Sequence, residues 1–384
     1  MMSAQSWRVV SKIFLILMLI IVGVIWFPST YFFLRPKEPE SSGLFPQEPV
    51  WVFRAAERIT TSPVVQDQWV IIRTSQGIYW LDSTTGRPLL RVELAGSDRL
   101  PVPCDGLLLV PEGRHSLSTF TLSTGALVWT ARPLPTYRGY VPTDVPVESM
   151  ACGGEVTYVA RYNWRLTAYK LLNGEILWES SVPDRSGLSL ATDGHIVYLG
   201  ANVYIQAYDG HSGERLWSER MGTFVRSIQL VANTLYIGLF EGPFLAMDVN
   251  SRAIRWQADF PAGEHPFLVE GDTLYITNQG NLAAILRENG RIIWQRKLPG
   301  ADLGRPIVAK GVLYVRSARG YLYALEASTG RELGELKIQP DTPFVYTLDR
   351  SPSVAGDFLL VPFGDNRLLA YRLINLDTPV NRGK

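Results

Sequence analysis

Cysteine and histidine are scarce, and neither sign of charge dominates. The chain holds 2 cysteines and 4 histidines, and its 37 basic residues stand against 36 acidic ones for a formal charge of +1. So balanced a chain has no cationic excess to neutralise a phosphate backbone, and nucleic acid is not an expected partner. Cys104 and Cys152 are too few for a disulfide-dense scaffold and too far apart for a CxxC metal or redox motif. Free cysteine packs as a small apolar residue, so two buried thiols are expected, with a single bridge as the alternative. His115, His195, His211 and His265 show neither HxH nor HExxH spacing. The run DGHSGE from Asp209 lacks the repeated acidic spacing of a calcium loop. No GxSxG elbow or glycine-rich phosphate loop is present. These absences lead to the expectation of no metal, no cofactor and no catalytic residues.

What is present begins with an apolar run. Ile13 to Phe27 carries no charge, and 12 of its 15 residues are Leu, Ile, Val or Phe. At their usual transfer values those twelve favour entry into a bilayer by about 4 to 7 kcal/mol. Tyr31 to Leu34 extend the apolar reach to 22 residues, near the ~20 a spanning helix needs. The expectation is a signal-anchor: residues 1–12 a short cytoplasmic tail, 13–34 a transmembrane helix, and the rest on the extracytoplasmic side of the cell membrane, single-pass. A cleaved leader is the alternative. Residues 35–49, RPKEPESSGLFPQEP, hold four prolines and little to bury, and read as a linker able to reach about 45 Å when extended.

From residue 50 onward the chain repeats itself. The block TTGRPLL returns as STGALVW, LNGEILW, HSGERLW, NSRAIRW, ENGRIIW and STGRELG, and a further copy survives in PVWVF. The block ends fall at 51, 90, 129, 178, 217, 256, 294 and 334, a period of about 39 residues with one insertion. Each block follows a strand-like segment such as WVIIR, LLLVP, VTYVA, IVYLG, TLYIG or VLYVR. Four strands per period make a propeller blade, so residues 50–384 are expected to form an all-β, eight-bladed β-propeller of four-stranded antiparallel blades. The glycine in the block suits a hairpin turn at positive φ; Arg252 replaces it once, and that turn is expected to differ. Trp ends six of the eight blocks and reads as a wedge between blades. The eighth repeat lacks an outer strand, which Pro49 to Ala55 can supply, closing the ring without an open edge.

The pattern (D/E)xxTGxxxW, with Asp82, Asp209, Asp248 or Glu326 four residues before the turn position, resembles the pyrroloquinoline-quinone-like (PQQ-like) propeller repeat. The resemblance covers residues 49 to about 376 and implies the fold, whereas fold alone does not imply activity. Quinoprotein dehydrogenases with similar repeats use a vicinal cysteine pair, a calcium ion held by acidic groups and a tryptophan floor; none of these can be matched here residue by residue. The expected function is therefore a non-catalytic scaffold that binds another protein or envelope component. The competing reading is a quinoprotein-type or other enzyme with its site at the central channel.

The interaction surface is sought where the repeat is broken. The insertion lies within Ala131 to Met150 and carries Tyr137, Arg138 and Tyr140, residue types that favour interfaces. The second-to-third-strand loop of the next blade, ARYNWRL, adds Arg161 and Trp164, and the equivalent loop of the preceding blade adds Arg114 and His115. All should meet on one sector of one rim. The bland alternative is that Trp164 and the tyrosines only pack the long loop onto the blades.

Overall fold

A computed structural model describes residues 41–43, 45, 48–113, 115–131, 146–182, 187–261, 267–299, 302–338 and 350–376. Among the described residues there are eight antiparallel sheets, seven of four strands and one whose four blade strands gain a fifth at the edge. Blade 1 runs through Val64–Gln66, Trp69–Arg73, Gly77–Asp82 and Pro88–Glu93. Blade 3 uses Val147–Gly153, Val156–Arg161, Arg165–Lys170 and Ile176–Ser181. The first strands of successive blades approach one another and so line the centre. The second and third strands are nearly all buried because both of their faces meet a neighbouring blade. The core accordingly lies between blades: Tyr158, Leu166 and Trp178 of blade 3 pack with Leu190, Val197 and Tyr208 of blade 4.

Blade 8 closes the ring. Its inner three strands are Ser353–Ala355, Phe358–Phe363 and Arg367–Arg372, and its outer strand is Trp51–Arg54 from the other end of the chain. Trp51 pairs with Ala370 and Phe53 with Leu368. The two chain ends are thus knitted by backbone hydrogen bonds, which leaves no inner strand edge exposed.

The tryptophans are wedges, as their spacing implies. A register shift one residue before the block end recurs in blade after blade, for instance between Ala207 and Tyr208 opposite Trp217. A bulge of this kind re-aims the following side chain. It leaves Leu216, Arg255 and Ile293 exposed while the adjacent Trp217, Trp256 and Trp294 turn inward. Trp178 then lies against the turn of the next blade: its indole N–H donates to the Gly210 carbonyl at 2.8 Å, and a Cβ on Gly213 would sit 2.4 Å from its ring. Trp129, Trp256 and Trp294 make the same donation to Leu171, Arg287 and Ala327. The acidic residue of the motif holds the same turn from inside. Asp82 accepts from the backbone N–H groups of Thr84 and Thr85, and hydrogen bonds from both threonine hydroxyls and both amides pull its carboxyl down to about 2.

Two expectations are corrected. The Arg252 turn does not differ: Arg252 has φ +62°, and its N–H donates to the Asp248 carbonyl at 2.8 Å, as Gly213 does to Asp209 at 2.9 Å. The Asp248 cap and the bulge impose the left-handed conformation on a residue that resists it. Second, Cys104 and Cys152 are not free thiols but a disulfide, with Cα atoms 6.2 Å apart. The pair joins the first strands of blades 2 and 3, Val102–Cys104 and Val147–Gly153.

The stretches expected as tail (1–12) and transmembrane helix (13–34) lie outside the described residues. Among the described residues no helix is long and apolar enough to cross a membrane. Within the stretch read as linker, Ser41–Gly43 form a short strand on the outer edge of blade 7.

Candidate functional site

In each blade the second-to-third-strand loop and the connection to the next blade open on one face, here called the rim. The second strand of blade 3 ends at Arg161, whose side chain is 1% exposed. Its guanidinium reaches back to blade 2 and donates to the His115 carbonyl at 2.7 Å. A buried arginine thus ties the rim loop of one blade to the strand end of the next. Among the described residues its Nε and Nη2 have no hydrogen-bond partner, and neither has the buried Nδ1 of His115. Three residues on, Trp164 sits at φ +64°, with its N–H donating to the Arg161 carbonyl and its own carbonyl accepting from Val182. The left-handed turn lifts the indole to the surface, where it is 38% exposed beside the more exposed Tyr162. Arg165 pairs with Glu179 at 3.3 Å at the edge of this patch. The structure therefore brings His115, Arg161 and Trp164 together on one sector. Arg114, Tyr137, Arg138 and Tyr140 lie outside the described residues.

Arg161 is one of a set of buried arginines that end second strands. Arg73 ends the second strand of blade 1 and Arg316 that of blade 7, Val312–Arg316, and both are buried. Arg73 donates to the Ala95 carbonyl in the connection to blade 2, and Arg316 to the Arg350 carbonyl in the connection to blade 8. Burial lowers Arg73 to about 10 against the attraction of Glu112. Burial, reinforced by the like charge of Arg350, lowers Arg316 to about 9. Arg73 and Arg316 remain cationic at neutral pH. The signal was available, since WVIIR, VTYVAR and VLYVR end alike.

The quinone chemistry of similar propellers does not fit these residues. The two cysteines bridge separate blades instead of standing side by side. Among the described residues no three His, Cys, Asp or Glu side chains converge to hold a metal ion. The acids of the repeat are committed to turns: Asp209 to His211 and Ser212, Glu326 to Thr329 and Arg331.

A closed eight-bladed propeller with its repeated side chains committed to blade-to-blade packing defines the class, a PQQ-like repeat protein. The family model described as outer membrane protein assembly factor BamB matches residues 115–242 and 240–375, and the chain belongs to that family. Relatives called outer membrane protein assembly factor BamB include that of Yersinia pestis, 22% identical over 77% of this chain and 66% of the relative. That of Alkalilimnicola ehrlichii is 29% identical over 58% of this chain and 50% of the relative. The match thus spans half to two-thirds of these relatives' length. Among solved structures, BamB from Moraxella catarrhalis superposes with TM-score 0.63 at 14% identity, over 85% of this chain and 99% of that one. Quinohemoprotein alcohol dehydrogenase from Comamonas testosteroni gives 0.67 at 13% identity, over 91% and 78%. At such identities the superpositions speak for the fold alone.

The family corrects the expected localisation. A single-pass protein of the cell membrane does not agree with relatives that are outer membrane protein assembly factors. Hydropathy measures transfer from water to hydrocarbon and carries no information about which membrane is served; an apolar run of 15 residues also has a length found in leaders.

Proposed function

We propose that this chain is a non-catalytic scaffold in outer-membrane protein assembly, and that the rim sector of blades 2 and 3 docks a partner protein. The observation that carries the reading is membership of the BamB family over residues 115–375. The local chemistry supports the choice of sector. Trp164 and Tyr162 offer exposed aromatic area beside Arg165, the residue types that dominate interface energetics. The Arg161 clamp and the Cys104–Cys152 bridge hold the two blades rigidly beneath them, which limits the ordering cost of binding. Tyr137, Arg138, Tyr140 and Arg114 belong to the same proposal by their place in the chain. A disulfide also suits an oxidising compartment outside the cytoplasm.

The test is crosslinking capture from native envelopes with the full chain. Trp164→Asn keeps the left-handed turn, because asparagine tolerates it, and combined with Tyr140→Ser it should reduce capture about tenfold. The melting temperature should move by less than about 2 °C, since the lost area is surface. A large loss of stability with capture intact would show that these aromatics serve the fold.

A further inference from the structure

Blade 7 breaks the tryptophan rule, and the break has a structural cause. In blade 1 Leu90 takes the tryptophan's place against Gly125; elsewhere the tryptophan lies on the turn between the third and outer strands of the next blade, as Trp294 does on Gly330 and Trp256 on Gly290. Blade 8 has no such turn, because its third strand ends at Arg372 and its outer strand begins at Trp51. A tryptophan at position 334 would not find the turn glycine to lie on. Gly334 stands there instead, in the outer strand Glu332–Lys337.

The vacated position is filled from the N-terminal side. Ser41–Gly43 add a fifth, antiparallel strand to this edge, with Gly43 opposite Gly334. Gly43 has φ +70°, and a Cβ there would lie 2.2 Å from the Leu333 carbonyl oxygen and 2.7 Å from the Gly334 Cα, so only glycine against glycine allows this approach. Two residues on, Phe45 is 4% exposed, its ring 6.1 Å from that of Tyr314. Tyr314 is the third residue of VLYVR. Its counterparts Tyr198 and Tyr275 hold Trp217 and Trp294 at 6.1 Å, and Tyr236 holds Trp256 at 6.0 Å. Phe45 therefore meets the tyrosine that a tryptophan meets elsewhere. Its cluster joins Leu333, Leu336 and Ile338 of blade 7 to Leu359, Val361 and Tyr371 of blade 8.

We propose that the outer edge of blade 7 is a peptide-docking site for an extended segment carrying glycine and, two residues later, an aromatic ring, and that this chain's own Ser41–Phe45 fills it to lock the seam where its two ends meet. The inference stands apart from the rim proposal, since it concerns another edge and other residues.

The test is hydrogen exchange and thermal melting of the full chain. In the native protein, amides 41–45 should exchange at least about tenfold more slowly than an unstructured segment. Phe45→Ala should abolish that protection and lower the melting temperature by about 5 °C. Gly43→Val, which leaves Phe45 in place, should also release the segment. Gly334→Trp should expel it by occupying the socket. Exchange at 41–45 as fast as in a free peptide, or protection that survives both Phe45→Ala and Gly43→Val, would overturn the proposal.

Discussion

The Cys104–Cys152 bridge allows a quantitative test. It closes a loop of 48 residues between the first strands of blades 2 and 3, a loop that contains the insertion in the repeat. Cross-linking restricts the unfolded chain, and for a loop of this length the chain-entropy relation gives about 4 kcal/mol at 25 °C. Unfolding a propeller of some 330 residues carries roughly 0.7 kcal/mol per kelvin of entropy, so losing the bridge should lower the melting temperature by about 6 °C. The local structure should otherwise persist, because Cys104 sits among Leu107, Leu109, Val147 and Val159, which still pack when the bond is opened. The assay compares oxidised protein, protein reduced with a small phosphine, and the Cys104→Ala/Cys152→Ala double variant by calorimetry, with thiol titration as the count of opened bonds. Reduced and double-variant proteins should agree within about 2 °C of each other, the difference being the sulfur packing. A midpoint that does not move on complete reduction would refute the reasoning. So would titration of two free thiols in the untreated protein.

The turns between third and outer strands offer two further tests. Gly213→Ala places a Cβ 2.4 Å from the Trp178 ring in a backbone at φ +71°; left-handed strain and overpacking together should cost about 2 to 5 kcal/mol in denaturant melts. Arg252→Gly relieves the same strain at the equivalent turn while adding unfolded-state freedom, so it should change stability by less than about 1 kcal/mol; equal losses for the two would show that the turns are not tryptophan seats. Hydrogen bonding holds the carboxyl groups of Asp82, Asp209, Asp248 and Glu326 below their ordinary values. Depressed carboxyl values give stability that is present above the unfolded-state values near 4 and lost as pH falls through the folded ones. Melting temperatures should therefore decline between about pH 4 and pH 2, and Asp82→Asn should narrow its gap to the native protein across that window; a constant gap would argue against the cap.

The sequence carried the architecture because a propeller is a sum of near-identical local units. Period, strand pattern and turn chemistry repeat eight times, so each copy corroborates the others, and the missing outer strand of the last repeat pointed to Trp51–Arg54 as its complement. Of the residues singled out where the repeat is broken, Trp164 is exposed, whereas the neighbouring Arg161 is a buried clamp. Four things depended on the tertiary structure. Two cysteines 48 residues apart say nothing about distance; only the juxtaposition of two first strands makes them partners. Arg252 was expected to alter its turn from its own preference, yet the surrounding cap and bulge outweigh a local cost of about 1 to 2 kcal/mol. Arg73, Arg161 and Arg316 end their strands, and only the loops and connections that they bond show that they are buried clamps. Phe45 lies in a proline-rich stretch with the composition of a linker; it is buried against Tyr314, 269 positions away, which no local window can see. Local pattern specifies what each blade is, because its forces act over a few residues, while the seams and clamps between blades are contacts of high sequence separation that exist only once the ring has closed.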